Sequence, residues 1–471
     1  MKPPRLALAL GWVSLLGLVA SGSSWAAAFQ VEARTEAQAY QLRSYRGTDP
    51  DNPVLLPRRR LVQYLGLDAF ELVTGQPFGF ESSLRIYADL GLPRGEAALI
   101  DGLHAEDADL LYANVHYRSD RLELRLGRQV YVDLMDYLAF DGLKVRYVQP
   151  LGIGGIGVEA YGGLWVKGAS LLGTGVYQPD GVRETDARRL ATLGVGQPTL
   201  TSIEPLVGAK VLAENIKGIS AAIGYRKALI AGKTDLERLA LELKYGRGRG
   251  LSILGGLEYD LVLPRISQVR LTARYDHELF AVTAEAMRVT PVLTADSIFL
   301  YFATAARDEL RLRVDLTPVG AFRFYGQVLT DVYGTNLQQT PTHQAALADP
   351  TLPPGTALGA SLGTAARFGR IRSALDLTGK RGFGGQQAWV DGTLGYSTAD
   401  GLYTLDGRLS VARIADGLNP LLQGTFFGGQ LWGSYLLTRS SRLSLVLEEN
   451  VNRFTQLDTK MFVLFDLKAM L

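Results

Sequence analysis

Between Asp308 and Asp331 the chain alternates. Leu310, Leu312, Val314 and Leu316 take every second position, and Arg311, Arg313, Asp315 and Thr317 take those between. After the predicted turn Thr317-Pro318-Val319-Gly320 the alternation resumes, with Phe322, Phe324, Gly326 and Val328 against Arg323, Tyr325 and Gln327. Successive side chains of a strand point to opposite faces, so strict period two specifies strands. What each face meets stays open at this point. A soluble sandwich sets the leucines against protein, whereas a membrane barrel sets them against lipid and the arginines in a wet interior.

The ends narrow the choice. Lys2 and Arg5 precede an uncharged, mostly apolar run from Leu6 to Ala20, and Ala26-Ala27-Ala28 offers a small-residue cleavage site. This predicts a cleavable signal peptide over 1–28 and a barrel-forming chain over 29–471. No later stretch reaches the roughly 18 apolar residues of a spanning helix, so insertion into a membrane has to use strands. The absence of cysteine excludes disulfides and thiolate metal sites, and a formal charge of +2 gives no argument for a polyanion partner. Many of the 53 glycines fall inside strand patterns, which disfavours a helical fold.

The remainder reads as one series of about 22 alternating segments (16 to 22 being compatible), without a linker or a separate plug domain. Short connections such as RSDR at 118–121, ENIKG at 214–218 and STADG at 397–401 alternate with long ones at 43–58, 92–108, 131–140, 167–202, 290–307, 333–356 and 413–426. Only 71–79 is long where a short connection is expected. Short turns at one end and long loops at the other are how outer-membrane barrels are built, with the short turns facing the periplasm. The expectation is therefore an all-β chain folded as one transmembrane, antiparallel, up-and-down barrel.

Tyr117, Tyr147, Tyr245, Tyr275, Phe368, Tyr396 and Tyr435 each close an apolar series just before a short turn. Tyr combines an apolar ring with a polar tip and suits the boundary between hydrocarbon and headgroups. An aromatic girdle at that boundary explains one face and one end better than the general preference of Tyr for strands. Lys and Arg fall almost wholly on the other parity, as they must if the apolar face meets lipid, where a midplane basic residue costs roughly 2–4 kcal/mol.

The candidate lumen-facing residues are Arg85, Arg125, Arg128, Arg146, Arg238, Arg270, Arg274, Arg311, Arg313, Arg323 and Arg372, with Glu123, Glu242, Glu258, Asp260, Asp315 and Asp376. Rings of one sign would filter charged solutes. Both signs are about equally represented, which favours cross-strand ion pairs for most of them. A local cluster at Arg311, Arg313 and Arg323 would suit an anion. The segment 167–202 carries Asp180, Arg183, Glu184, Asp186, Arg188 and Arg189, and either narrows the mouth or lies outside it.

Gly127-Arg128-Gln129 followed by Phe140-Asp141-Gly142 resembles the GRQ…FDG pattern of Gram-negative porins, including the alginate-export type. That resemblance implies an outer-membrane diffusion or export channel, with Arg128 in the lumen near the outer rim. Parity opposes this, since Arg128 continues Leu122, Leu124 and Leu126, so a bulge or a strand end is required. The last segment, with Met461, Val463, Phe465, Leu467, Ala469 and Leu471 on one parity, resembles the C-terminal assembly signal of outer-membrane proteins, although it ends in Leu instead of an aromatic residue.

A barrel enzyme is the rival class. Of the four histidines, His104 and His343 fall in long connections, His277 in a short turn and His116 on the lumen parity, with no accompanying nucleophile pattern. No phosphate loop, paired-His metal spacing or nucleic-acid surface is visible, so no cofactor and no nucleic-acid partner are expected. The expected partners are outer-membrane lipid and either small solutes or an exported polymer, in a free-standing channel or in a polysaccharide-export or surface-motility assembly. Contact between copies would use the same outward apolar pattern as contact with lipid, which leaves a homo-oligomer open.

Overall fold

The computed structural model describes residues 28–44, 54–73, 75–91, 106–133, 135–166, 204–230, 232–246, 250–290, 306–334, 355–415, 423–451 and 457–470. Residues 1–27 of the signal peptide predicted over 1–28, the connection 167–202, and His104 and His343 lie outside them.

The strands run β1 (Ala28–Ser44), β2 (Val54–Phe70), β3 (Phe78–Asp89), β4 (Glu106–Arg118), β5 (Leu122–Asp133), β6 (Asp136–Leu151), β7 (Gly154–Trp165) and β8 (Pro205–Ile216). They continue as β9 (Ile219–Ile230), β10 (Lys233–Gly246), β11 (Leu251–Asp260), β12 (Arg265–Asp276), β13 (Phe280–Val289), β14 (Arg307–Val319) and β15 (Phe322–Tyr333). The series ends with β16 (Thr356–Phe368), β17 (Ile371–Gly382), β18 (Gly385–Ser397), β19 (Tyr403–Ala415), β20 (Gly424–Thr438), β21 (Ser441–Val451) and β22 (Asp458–Met470).

Each strand pairs antiparallel with its sequence neighbours, and β1 pairs with β22 from Gln30↔Met470 to Ala39↔Met461. The result is one closed 22-stranded antiparallel barrel. Closure gives every strand a partner on both sides, which is what a chain needs in hydrocarbon.

Curvature identifies the faces. Side chains on a convex surface diverge, and those on a concave surface converge. On the charged face residues two strands apart touch, in two places directly over a glycine. Arg226 of β9 reaches Tyr161 of β7 above Gly208, and Arg372 of β17 reaches Asp406 of β19 above Gly395. A Cβ on either glycine would fall inside those side chains, so part of the glycine content answers to the inner wall. The charged parity is therefore the inside. Leu310 and Leu312 stand outside, 56% and 46% exposed.

Two expectations need correction. The 131–140 region is not a long loop: β5 and β6 pair from Leu122↔Tyr147 out to Asp133↔Asp136. The β9–β10, β11–β12 and β17–β18 connections at the same end are also short, so loop asymmetry is real without being uniform. In addition, β14 continues through the predicted turn to Val319, with a register shift between Leu316 and Val319, and turns at Gly320.

Candidate functional site

The site is the inner wall. Most of it is a lattice of ion pairs between strands. Arg85 holds Asp109 through Nε at 2.8 Å. Arg125 bridges Glu123 at 2.6 Å and Glu81 at 2.7 Å. Arg146 holds Glu214. Arg238 reaches Glu258 at 3.2 Å, and Glu242 lies 3.9 Å from Lys210. Arg274 holds Asp276 at 2.8 Å. Asp260 accepts from the Val262 and Leu263 backbone, and Asp376 accepts from the Tyr325 hydroxyl. Arg270 stands on the same face, exposed and without an ion-pair partner among the described residues.

The anticipated Arg311, Arg313 and Arg323 cluster does not form as one group. Arg311 lies between Glu285 at 3.2 Å and Glu309 at 2.7 Å. Arg313 pairs with Asp315 at 2.6 Å and stacks 3.8 Å over the Tyr325 ring. Only Arg323 is left over.

Arg128 does not line the lumen. Gly127 takes φ +123°, and above it β4 and β5 stop pairing, their last pair being Ala113↔Arg128. Arg128 closes that fork. Its guanidinium takes both Asp141 oxygens at 2.7 and 2.8 Å, and Nη1 donates to the Leu110 carbonyl of β4 at 3.1 Å. Gln129 donates to the Gly142 carbonyl at 3.1 Å. The GRQ…FDG residues thus form the root of an inward-leaning hairpin, in which Gly127 supplies a backbone that side-chain-bearing residues rarely adopt.

The β5–β6 tip lies across the inner wall. Asp133 meets Arg226 of β9 at 2.9 Å, with both side chains under 5% exposed. Arg238 of β10 donates to the Met135 carbonyl at 2.7 Å. Underneath, Leu138 and Phe140 pack with Tyr161, Leu206, Ala228 and Leu236, flanked by Tyr131 and Trp165. All of these sit on the inner parity, so one sector of the inner face is apolar where charge is expected throughout. Below the tip a cleft of about 530 Å³ is lined by Lys144, Arg146, Glu159, Lys210, Glu214 and Glu242, among others.

A second cleft of about 520 Å³ lies on the opposite part of the wall, at the short-turn end. Its lining includes Arg323, Arg367, Arg372, Arg408, Asp406 and Trp432. Arg367 and Trp432 were missed as candidates. Arg367 and Arg372 flank a two-residue turn on one parity, which was the available signal.

On the outside, Tyr117, Tyr147, Tyr245, Tyr275, Phe368, Tyr396 and Tyr435 stand at the short-turn ends of downward strands. Aromatic residues opening the upward strands join them. Phe78 lies 4.9 Å from Tyr117, Phe322 lies 5.5 Å from Phe368, and Tyr403 lies 4.6 Å from Tyr435, between ring centroids. Outside ion pairs occur at the other end, as in Lys227–Glu237 at 3.2 Å and Arg288–Asp308 at 3.5 Å. Of the described histidines, His116 faces inward from β4 and His277 stacks on Phe280 in the β12–β13 turn.

No protein-family model matches the sequence, and no curated protein does. Among solved structures, the siderophore receptor PirA from Pseudomonas aeruginosa is similar, with a TM-score of 0.54, 10% identity, 94% of this chain covered and 80% of the receptor. OccK5 (OpdH) from the same organism gives 0.42 at 8% identity, covering 94% and 98%. The outer membrane protein opdK, again from Pseudomonas aeruginosa, gives 0.42 at 10% identity, covering 94% and 99%. At this identity the likeness to the receptor concerns the fold: the chain has an outer-membrane type of β-barrel.

Proposed function

We propose that this protein is a channel of a Gram-negative outer membrane, exported with residues 1–28 as a cleaved signal peptide. It passes small hydrophilic or charged solutes through the barrel interior and carries no catalytic activity of its own. The observation that carries the reading is the sorting of the closed wall: leucines and aromatic residues outside, and solvent-open charges such as Arg270, Arg323 and Arg372 inside. An apolar outside needs lipid, and a charged inside needs water.

The inner lattice then acts as a polar lining of mixed sign, and the outward aromatic belt sets the depth in the bilayer. The latched hairpin narrows one sector. The test is conductance of the purified full chain in planar bilayers, with N-terminal sequencing of the exported protein expected to begin at Phe29. A stepwise ion current is the expected result. A folded, inserted but silent barrel would overturn the free-standing channel and favour a component of a polysaccharide-export or surface assembly.

A further inference from the structure

The inner wall pairs most of its charges, and apart from single residues such as Arg270 one place stands out. In the cleft at the short-turn end, four arginines, Arg323, Arg367, Arg372 and Arg408, face one aspartate, Asp406. Asp406 is taken by Arg372 at 2.6 and 2.7 Å, and Arg408 is held by Asp391 from the neighbouring strand at 2.9 Å. The guanidinium groups of Arg323 and Arg367 have no ion-pair or hydrogen-bond partner among the described residues, and both residues are exposed to the lumen.

Their placement is costly. Arg367 stands directly opposite Arg372 across β16–β17, and Arg323 lies diagonal to Arg367 through Ala365. Like charges directly opposite each other destabilise a sheet. Where like charges oppose each other elsewhere on this wall they bring their own carboxylates, as where Arg226 stands opposite Arg238 while Asp133 holds the one and Glu258 the other. The surroundings are also unlike the rest of the lattice. Ala365 and Ala374 leave a low floor, and Trp432 presents a half-exposed ring at its side.

We propose that this cleft binds an organic anion, a carboxylate carried on an apolar body. The forked guanidinium groups of Arg323 and Arg367 match the two oxygens of a carboxylate, and each brings donors that no side chain here accepts. The Trp432 ring and the alanine floor take the apolar part, which a small inorganic oxyanion lacks. Bound there, the carboxylate neutralises the arginine crowd. The proposal rests on the channel reading for its physiological sense, because the cleft is a stage on a solute's way through the lumen. Binding itself is measured without conduction.

The test uses the full chain in detergent micelles, with benzoate, benzyl alcohol and inorganic phosphate as probes, followed by calorimetry and by the shift in melting temperature. Benzoate is expected to bind and to raise the melting temperature, benzyl alcohol to do neither, and phosphate to bind more weakly. The double variant Arg323→Gln/Arg367→Gln should weaken benzoate about tenfold or more, as loss of charge-assisted hydrogen bonds does. Without ligand the same variant should melt no lower than the parent, since it removes a like-charge contact, and this reports that it folds. Trp432→Ala should weaken benzoate while leaving phosphate unchanged.

Equal benzoate affinity in the double variant, or an equal loss in the control Arg311→Gln/Arg313→Gln, would overturn the site. Phosphate binding as tightly as benzoate, with no effect of Trp432→Ala, would overturn the apolar-body assignment. In bilayers, a silent barrel that still binds benzoate sinks the channel reading alone. A conducting barrel whose anion preference survives the double variant sinks this inference alone.

Discussion

Arg226 and Tyr161 stand on strands that are not neighbours, yet the Arg226 Nε donates to the Tyr161 hydroxyl at 3.0 Å. The strand between them offers only Gly208 at that level. The same guanidinium holds Asp133 at the tip of the inward hairpin. One arginine thus joins the wall to the element that leans across it, and a missing Cβ makes the junction possible.

Gly208→Ala should break this junction first. The added methyl falls within the Tyr161 ring, and overpacking of this kind costs about 1–3 kcal/mol. The expected result is a lower urea midpoint with the strand content unchanged by circular dichroism. An unchanged midpoint would mean that Tyr161 does not lie over the glycine.

Asp133→Ala should release the hairpin. It leaves Arg226 buried beneath the tip without its carboxylate, and breaking a buried pair costs about 3–5 kcal/mol. In bilayers, the variant should show a larger or noisier unit conductance than the parent. If current is unchanged, the hairpin does not bound the conducting path.

Arg128→Lys should behave almost like Arg128→Ala. A single ammonium cannot take both Asp141 oxygens and the Leu110 carbonyl at once. Both variants should open the β4–β5 fork, seen as faster amide exchange over β5 than over β17. Full protection in the lysine variant would show that charge alone suffices.

Leu312→Arg and Arg313→Leu differ by one position and should differ in size of consequence. The first puts a guanidinium against lipid, at roughly 2–4 kcal/mol near the midplane. The second removes a half-buried inner ion pair with Asp315 and a stack on Tyr325, together worth about 1–2 kcal/mol. Folding free energies into liposomes should separate the two. Because the chain has no cysteine, Leu312→Cys and Arg313→Cys also give clean labels: a water-soluble maleimide should reach the second and spare the first.

Much of this was already written in one dimension. Alternation such as Leu310, Leu312 and Val314 against Arg311, Arg313 and Asp315 determines strands, faces and the need for closure, because a side-chain period of two is local. The aromatic positions from Tyr117 to Tyr435 follow from the same parity, and so does the lining role offered to Arg85 or Arg372. Tertiary structure decided which of those charges are spent. Arg311 and Arg372 look alike in sequence. One lies between two carboxylates, and the other stands opposite Arg367 with a single aspartate, Asp406, because register across neighbouring strands sets their company. It also decided the fate of 131–140, which reads as a loop. Its apolar residues find partners on β7 to β10 only once the wall has curved round to meet them. Such contacts between residues distant in sequence depend on curvature and closure, which no local pattern encodes.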